Sequence, residues 1–174
     1  MDHRRFFFLD ETSLNTHFTR TCGRVQGSER LVCSAPQGGW RSTTLLAAMG
    51  LDGIVAPMVF DGAVDKPLFL AWLGRFLAPE LAPGDVVVMD NLSSHKGEAV
   101  EAAVRAAGGS VLYTPPFSPD MNPIEMFFSK LKAHLRRIEA RTREALDRAV
   151  VEVIEMLTPA EVEGFFRHCG YDSL

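Results

Sequence analysis

The sequence predicts an α/β fold on a mixed sheet, with three antiparallel strands leading into parallel ones, helices flanking the sheet and a helical extension at the C-terminus. Three observations carry that expectation. Two short apolar runs, Phe6–Leu9 and Val86–Met89, each close on an aspartate, Asp10 and Asp90. The stretch between Arg20 and Phe60 alternates strand-like runs with turns and contains no helical pattern. The stretch from Asp85 to Tyr113 reads as strand, helix, strand, and such a crossover joins parallel strands.

In chain order, Phe6–Leu9 is too short and too uniformly apolar for a helix and reads as a buried strand with Asp10 at its exit. Arg30–Cys33, Thr43–Met49 and Ile54–Phe60 follow as an antiparallel meander, with the turn Gly50-Leu51-Asp52-Gly53 before the last. Asp65 can cap a helix that carries Pro67 in its first turn and an apolar face of Leu68, Leu70, Trp72, Leu73, Phe76 and Leu77. Pro83-Gly84 turns the chain into the strand ending at Asp90. A helix is expected over Ser94–Ala107, stopped by Gly108-Gly109, and a strand over Ser110–Tyr113. Four prolines between Thr114 and Pro123 exclude regular structure there. A helix then begins with Asn122 as cap and Pro123 at its first position, burying Ile124, Phe127, Phe128, Leu131, Leu135 and Ile138. Thr142–Leu157 and Pro159–His168 complete the helices.

Composition narrows the function classes. With 174 residues, 47% of them hydrophobic, the chain can bury the core of one compact domain. A net charge of −4 excludes binding to nucleic acid by bulk charge, so any such role needs a local basic surface. Cys22, Cys33 and Cys169 are odd in number and lack the spacing of a zinc or redox motif, which points to a reducing cytosol. The apolar run after His3-Arg4-Arg5 is too short for a signal or a membrane span. A cytoplasmic protein without membrane contact is expected.

The acids carry the chemistry. A carboxylate at the end of a buried strand costs several kcal/mol to desolvate unless it is paired or holds a cation, and the sequence offers no matching buried cation for Asp10 and Asp90. Glu125, at the start of the helix after Asn122-Pro123, is the third acid, although its spacing from Asn122 is also that of a helix capping box. The order of strands and helices around the three acids is the ribonuclease H-like layout. Thirty-four residues separate Asp90 from Glu125. The strings Met89-Asp90-Asn91-Leu92-Ser93-Ser94-His95-Lys96 and Pro115-Pro116-Phe117-Ser118-Pro119-Asp120-Met121-Asn122-Pro123-Ile124-Glu125 closely resemble the second and third acidic motifs of DDE transposases of the IS630 group, relatives of the Tc1/mariner elements. Phe8-Leu9-Asp10-Glu11-Thr12 resembles the first. The resemblance runs to Gly170-Tyr171 and implies an enzyme that cuts element ends and joins them to target DNA, typically at a TA dinucleotide, acting as a homodimer.

Such in-line displacements use two divalent ions about 3.5–4 Å apart. Hard Mg²⁺ or Mn²⁺ takes oxygen ligands, so two aspartates and a glutamate suffice. Asp10 is assigned as the bridge between two ions, Asp90 to the ion that activates water or a 3′ hydroxyl, and Glu125 to the ion beside the leaving oxygen. Strand alternation sends Asp10 and Glu11 to opposite faces, so Glu11 is expected in solvent. Asn91 and His95 match the family's pair after the second acid, where His95 can hydrogen-bond a metal-bound carboxylate or a phosphate, or serve as a plain loop histidine. Asp61, Asp65 and Asp120 read as turn or cap residues and lie outside the site.

Helical spacing places Ser129, Lys132 and Arg136 on the stripe that holds Glu125, a surface suited to DNA phosphates. Lys130, Arg137, Arg141 and Arg143 extend it, and Arg20, Arg24 and Arg30 add charge in the early hairpin. Two departures from the family stand out. After Gly23 the chain reads Arg24-Val25-Gln26-Gly27 where relatives carry an aromatic residue and an alanine-proline pair. The N-terminal helix-turn-helix domain is also expected to be absent, so residues 1–140 form the catalytic domain, residues 141–174 a helical extension packed on it, and an upstream DNA-reading polypeptide or frameshift fusion supplies specificity. A non-enzymatic alternative is a relic or regulator that assembles with full-length transposase. A phosphoreceiver domain, suggested by Leu9-Asp10-Glu11, conflicts with the helix-free meander.

Overall fold

A computed structural model describes residues 2–20, 23, 27, 42–116 and 118–171. The expected strand at Arg30–Cys33, together with Cys22, Arg24 and Phe117, lies outside the described residues. Five strands, β1 (Phe6–Asn15), β2 (Ser42–Gly50), β3 (Gly53–Asp61), β4 (Val86–Met89) and β5 (Ser110–Tyr113), form one sheet in the order β3-β2-β1-β4-β5. The first three pair antiparallel, and β4 and β5 add parallel to β1. This is the mixed sheet anticipated above. At the outer edge, β3 carries Pro57 and a bulge opposite Leu46 and Ala48, features that discourage further strand pairing.

The sheet divides the core. Phe6, Phe8, Leu14, Leu45, Ala47 and Met49 face α3 (Ile124–Ile138), α4 (Arg143–Glu155) and α5 (Pro159–His168), whereas Leu9, Leu46, Val87 and Met89 face α1 (Lys66–Trp72) and α2 (Glu98–Ala106). Period-two alternation along each strand produces this split. Burying an aliphatic or aromatic side chain of this kind stabilises by about 1.5–3 kcal/mol, and both layers contain residues with no exposed surface, such as Phe8 and Phe69.

Several boundaries differ from the sequence reading, each for a local reason. The first strand runs on to Asn15 because β2 pairs with it from Phe8 to Asn15, so Asp10 lies inside β1 and not at its exit. It does lie just beyond the parallel partnership with β4, which ends at Phe8 and Val88. The first helix, capped by Asp65 as expected, widens into a π turn over Leu73–Leu77; its buried side chains are Phe69, Trp72, Leu73 and Leu77, while Phe76 is exposed. The second helix starts at Glu98 and not at Ser94, because Gly97 takes φ 119°, a backbone region open to glycine that breaks helical continuity. Ile138, placed on the buried face of α3, ends that helix in solvent, where Glu139 turns left-handed.

Candidate functional site

The β1–β4 register decides where the first two acids stand. Phe6 pairs with Val86, Phe7 with Val87 and Phe8 with Val88, and Asp10 and Asp90 each follow two residues after the last pair. Within β1, Asp10 shares the face of Phe8, toward the layer packed by α3, whereas Asp90 follows the end of β4 and its carboxylate meets His95, whose ring packs on Phe69 in the opposite layer. Glu125 sits in the first turn of α3. All three acids line one cleft of about 620 Å³ at the carboxyl ends of β4 and β5, together with Glu11, Asn91, Leu92, Thr114, Ser118, Asn122 and three prolines. Ligand sites favour this end of parallel strands.

Each carboxylate has its own support. Asp10 accepts from the Glu11 backbone N–H at 2.7 Å and from the Asn122 side-chain amide at 2.9 Å. Burial nevertheless pushes its carboxyl up to about 7; the Glu11 amide opposes this, and the negative charges of Glu125, Asp90 and Glu11 add to it. Asp90 accepts from the Leu92 N–H at 3.0 Å and stands 2.6 Å from Nδ1 of His95. His95 is wholly buried with its ring 4.6 Å from Phe69, and its Nε2 has no partner among the described residues. Asn91 reaches across to the Thr114 carbonyl at 2.5 Å and ties the loop after β4 to the loop after β5.

Two assignments change, and a third residue gains a partner. Asn122 is a site residue, not a helix cap: α3 has no side-chain cap, and the Asn122 amide, 6% exposed, points to Asp10 instead. The capping-box explanation of Glu125 therefore loses its partner. Glu11 is half-buried and not out in solvent; it lines the cleft with a buried Oε2 that has no partner among the described residues, and desolvation raises its pKa, with His95 lowering it and Asp90 raising it. Lys130, grouped with the DNA-facing residues, makes a 2.7 Å ion pair with Glu161 on α5. Among its neighbours, Arg136 stacks over Phe18 at 5.5 Å, Arg137 donates to His134, and Arg143 bridges Asp147 and Asp61. Lys132, half-buried on the same helix, enters no ion pair among the described residues.

The residues fit a divalent ion by chemistry. Their donors are hard carboxylate oxygens, and among the described residues lining the cleft none is Lys or Arg, so the accumulated negative charge has no protein counter-ion. Among the described residues, no three His, Cys, Asp or Glu side chains are gathered closely enough to hold one ion as they stand. One oxygen of Asp10 is taken by Asn122 and one of Asp90 by His95. The shared cleft is the weightier observation, because a carboxylate changes rotamer for about 1 kcal/mol whereas the strands and helix that carry the acids are fixed by the core.

A family model described as the DDE superfamily endonuclease matches residues 5–147. The chain belongs to the DDE superfamily endonucleases. Its fold is that of the ribonuclease H-like catalytic domain of Mos1 mariner transposase, a Tc1/mariner protein. The Mos1 paired-end complex with left transposon end superposes with a TM-score of 0.73 at 18% identity, covering 96% of this chain and 52% of that one. The Mos1 Strand Transfer Complex gives 0.73 at 17%, covering 98% and 55%. The isolated Mos1 catalytic domain gives 0.69 at 16%, covering 97% and 76%. This DDE endonuclease thus spans about half the length of the Mos1 chains in those complexes. No curated protein sequence matches it.

Proposed function

We propose that this DDE endonuclease is the catalytic domain of a transposase of the IS630 group, performing metal-dependent DNA strand cleavage and strand transfer on element ends and a TA-containing target. The single observation that carries this reading is the convergence of Asp10, Asp90 and Glu125 on one cleft just beyond the parallel pairing of β1 with β4. Two Mg²⁺ or Mn²⁺ ions, held by Asp10, Asp90 and Glu125, would activate an attacking oxygen and stabilise the leaving one. Mos1 paired-end complexes with Mn and with Mg support the choice of ion.

The remaining groups position the acids. Asn122 holds one oxygen of Asp10 and the Glu11 backbone N–H holds the other, fixing the carboxyl at the cleft. His95 donates to Asp90 and fixes its orientation, a role buried imidazoles often play behind metal-bound carboxylates. Asn91 sets the width of the cleft by joining its two rims. Lys132, Arg136 and Arg137 on α3 would meet DNA phosphates, whereas Lys130 serves packing. Residues 1–140 carry the chemistry and residues 141–174 brace it. A homodimer, served by an upstream helix-turn-helix polypeptide or fusion, completes the active complex in the bacterial cytoplasm, at the nucleoid. Among the described residues, no helix is long and apolar enough to cross a membrane.

With an upstream DNA-reading module supplied, the protein should cut end-containing DNA in Mg²⁺, and Asp90→Asn should abolish cutting while the fold persists. Unchanged cutting by that variant would remove Asp90 from the mechanism. The ungathered carboxylates favour a second reading, a regulator that assembles with full-length transposase and needs no metal. Mn²⁺ calorimetry separates the two, since only the enzyme requires the ion.

A further inference from the structure

We propose that Tyr171, at the end of the C-terminal extension, is a positioning residue for the acid cleft, because its hydroxyl seats the turn from which Asn122 and Glu125 reach the site. The inference rests on reading the cleft as a divalent-metal site. After α5 the chain reverses in a Schellman motif: Tyr171 N–H donates to the Phe166 carbonyl at 2.9 Å and Gly170 N–H to the Arg167 carbonyl at 3.0 Å, with Gly170 at φ 84°. That reversal folds the Tyr171 ring back against β1, 4.8 Å from Phe8 and 6.0 Å from Phe6 between ring centroids. Phe8 lies two residues before Asp10 on the same face.

The hydroxyl then donates to the Met121 carbonyl at 2.8 Å. Met121 closes the 3-10 turn Pro119–Met121, and the next residue is Asn122, whose side chain holds Asp10 and whose carbonyl accepts from the Glu125 N–H at 3.1 Å. One side chain therefore touches the strand of the first acid and the turn that sets the third. Among the described residues, besides the Asn122–Asp10 bond, the side-chain hydrogen bonds that join the Thr114–Asn122 loop to other segments are Asn91 to the Thr114 carbonyl at its start and Tyr171 to the Met121 carbonyl at its end. The extension itself is fixed to α3 by the Lys130–Glu161 pair, and Glu161 belongs to the capping box of α5. The pin therefore stands on a rigid base.

Tyr171→Phe keeps the ring packing and removes only the hydroxyl. In Mn²⁺ calorimetry it should weaken binding about three- to tenfold, the scale of one lost hydrogen bond, with the melting temperature essentially unchanged. In an Asn122→Ala/Glu125→Gln background it should cause no further loss, since both routes to the cleft are already cut. An unchanged Mn²⁺ affinity, or the same loss in both backgrounds, overturns the proposal. Amide exchange of the metal-free protein gives a separate reading: Met121, Asn122 and Glu125 amides should exchange faster in Tyr171→Phe while α2 is unaffected. If the parent protein takes up no Mn²⁺, the metal reading fails and exchange alone decides. Faster exchange then keeps Tyr171 as the seat of the turn, and unchanged exchange removes it.

Discussion

Lowering the pH from 8 to 6 should weaken divalent-ion binding about tenfold, and Asp10 is the reason. Its carboxyl titrates near 7 in the metal-free protein, mainly through burial. About nine-tenths of it is ionised at pH 8 and about one-tenth at pH 6, and only the ionised form is a ligand. An aspartate at its ordinary value near 3.8 would leave affinity flat across that range. Mn²⁺ calorimetry in two buffers of different protonation heat should show about half a proton released per site filled at pH 7. Affinity that is constant between pH 6 and 8, with no proton released, would refute the placement of Asp10 among the ligands. The same group sets a stability trend. Its folded pKa lies above its unfolded one, so its contribution is fully present below about pH 4 and is lost as the pH rises through 7. The ceiling on that loss is on the order of 4 kcal/mol, reduced to the extent that solvent reaches the partly buried carboxyl. Metal-free protein should therefore resist urea better at pH 5 than at pH 8, and added Mn²⁺ should reverse the order.

His95→Ala should cost about 2–4 kcal/mol in urea unfolding, since it opens a cavity against Phe69 and deprives Asp90 of a buried donor; a loss below about 1 kcal/mol would deny His95 that role. Lys130→Ala and Lys132→Ala should separate packing from DNA contact. The first should lower stability by up to about 1 kcal/mol with the salt dependence of DNA binding intact, and the second should reduce the logarithmic salt slope by about one, read by titration of a fluorescent duplex at several salt concentrations.

The sheet and the acids were legible because each rests on a local rule. Short apolar runs such as Val86–Met89 are strands on length and flanks alone, and a strand-helix-strand unit fixes the parallel pairing of β4 and β5. The acids stood out as charges where burial is costly, and the site's common cleft agrees with that logic. What escaped depended on contacts between distant segments. Asn122 is a plausible cap by spacing, and only its position 112 residues from Asp10 in sequence, yet 2.9 Å in space, reveals its use. Glu11 seemed bound for solvent because alternation says where a side chain starts but not how deep the neighbouring loops are; the cleft walls enclose it. Lys130 lies off the Glu125 stripe and only extends its positive region, and the arrival of α5 with Glu161 beside it could not be read from helical spacing. A buried, unpaired amide such as Asn122 Oδ1 is the kind of signal that a structure alone supplies.

The pairing of β1 with β4 has an evolutionary consequence. Because β1 and β4 are paired residue by residue from Phe6 and Val86 to Phe8 and Val88, an insertion or deletion of one residue within either paired run would shift the acid that follows it and upend a core layer with it. Length variation is thereby barred from both strands. The proline-rich segment ahead of α3 is held differently, by side chains at its two ends, Asn91 at Thr114 and Tyr171 at Met121, so the third acid owes its place to a few replaceable contacts where the first two owe theirs to a ladder.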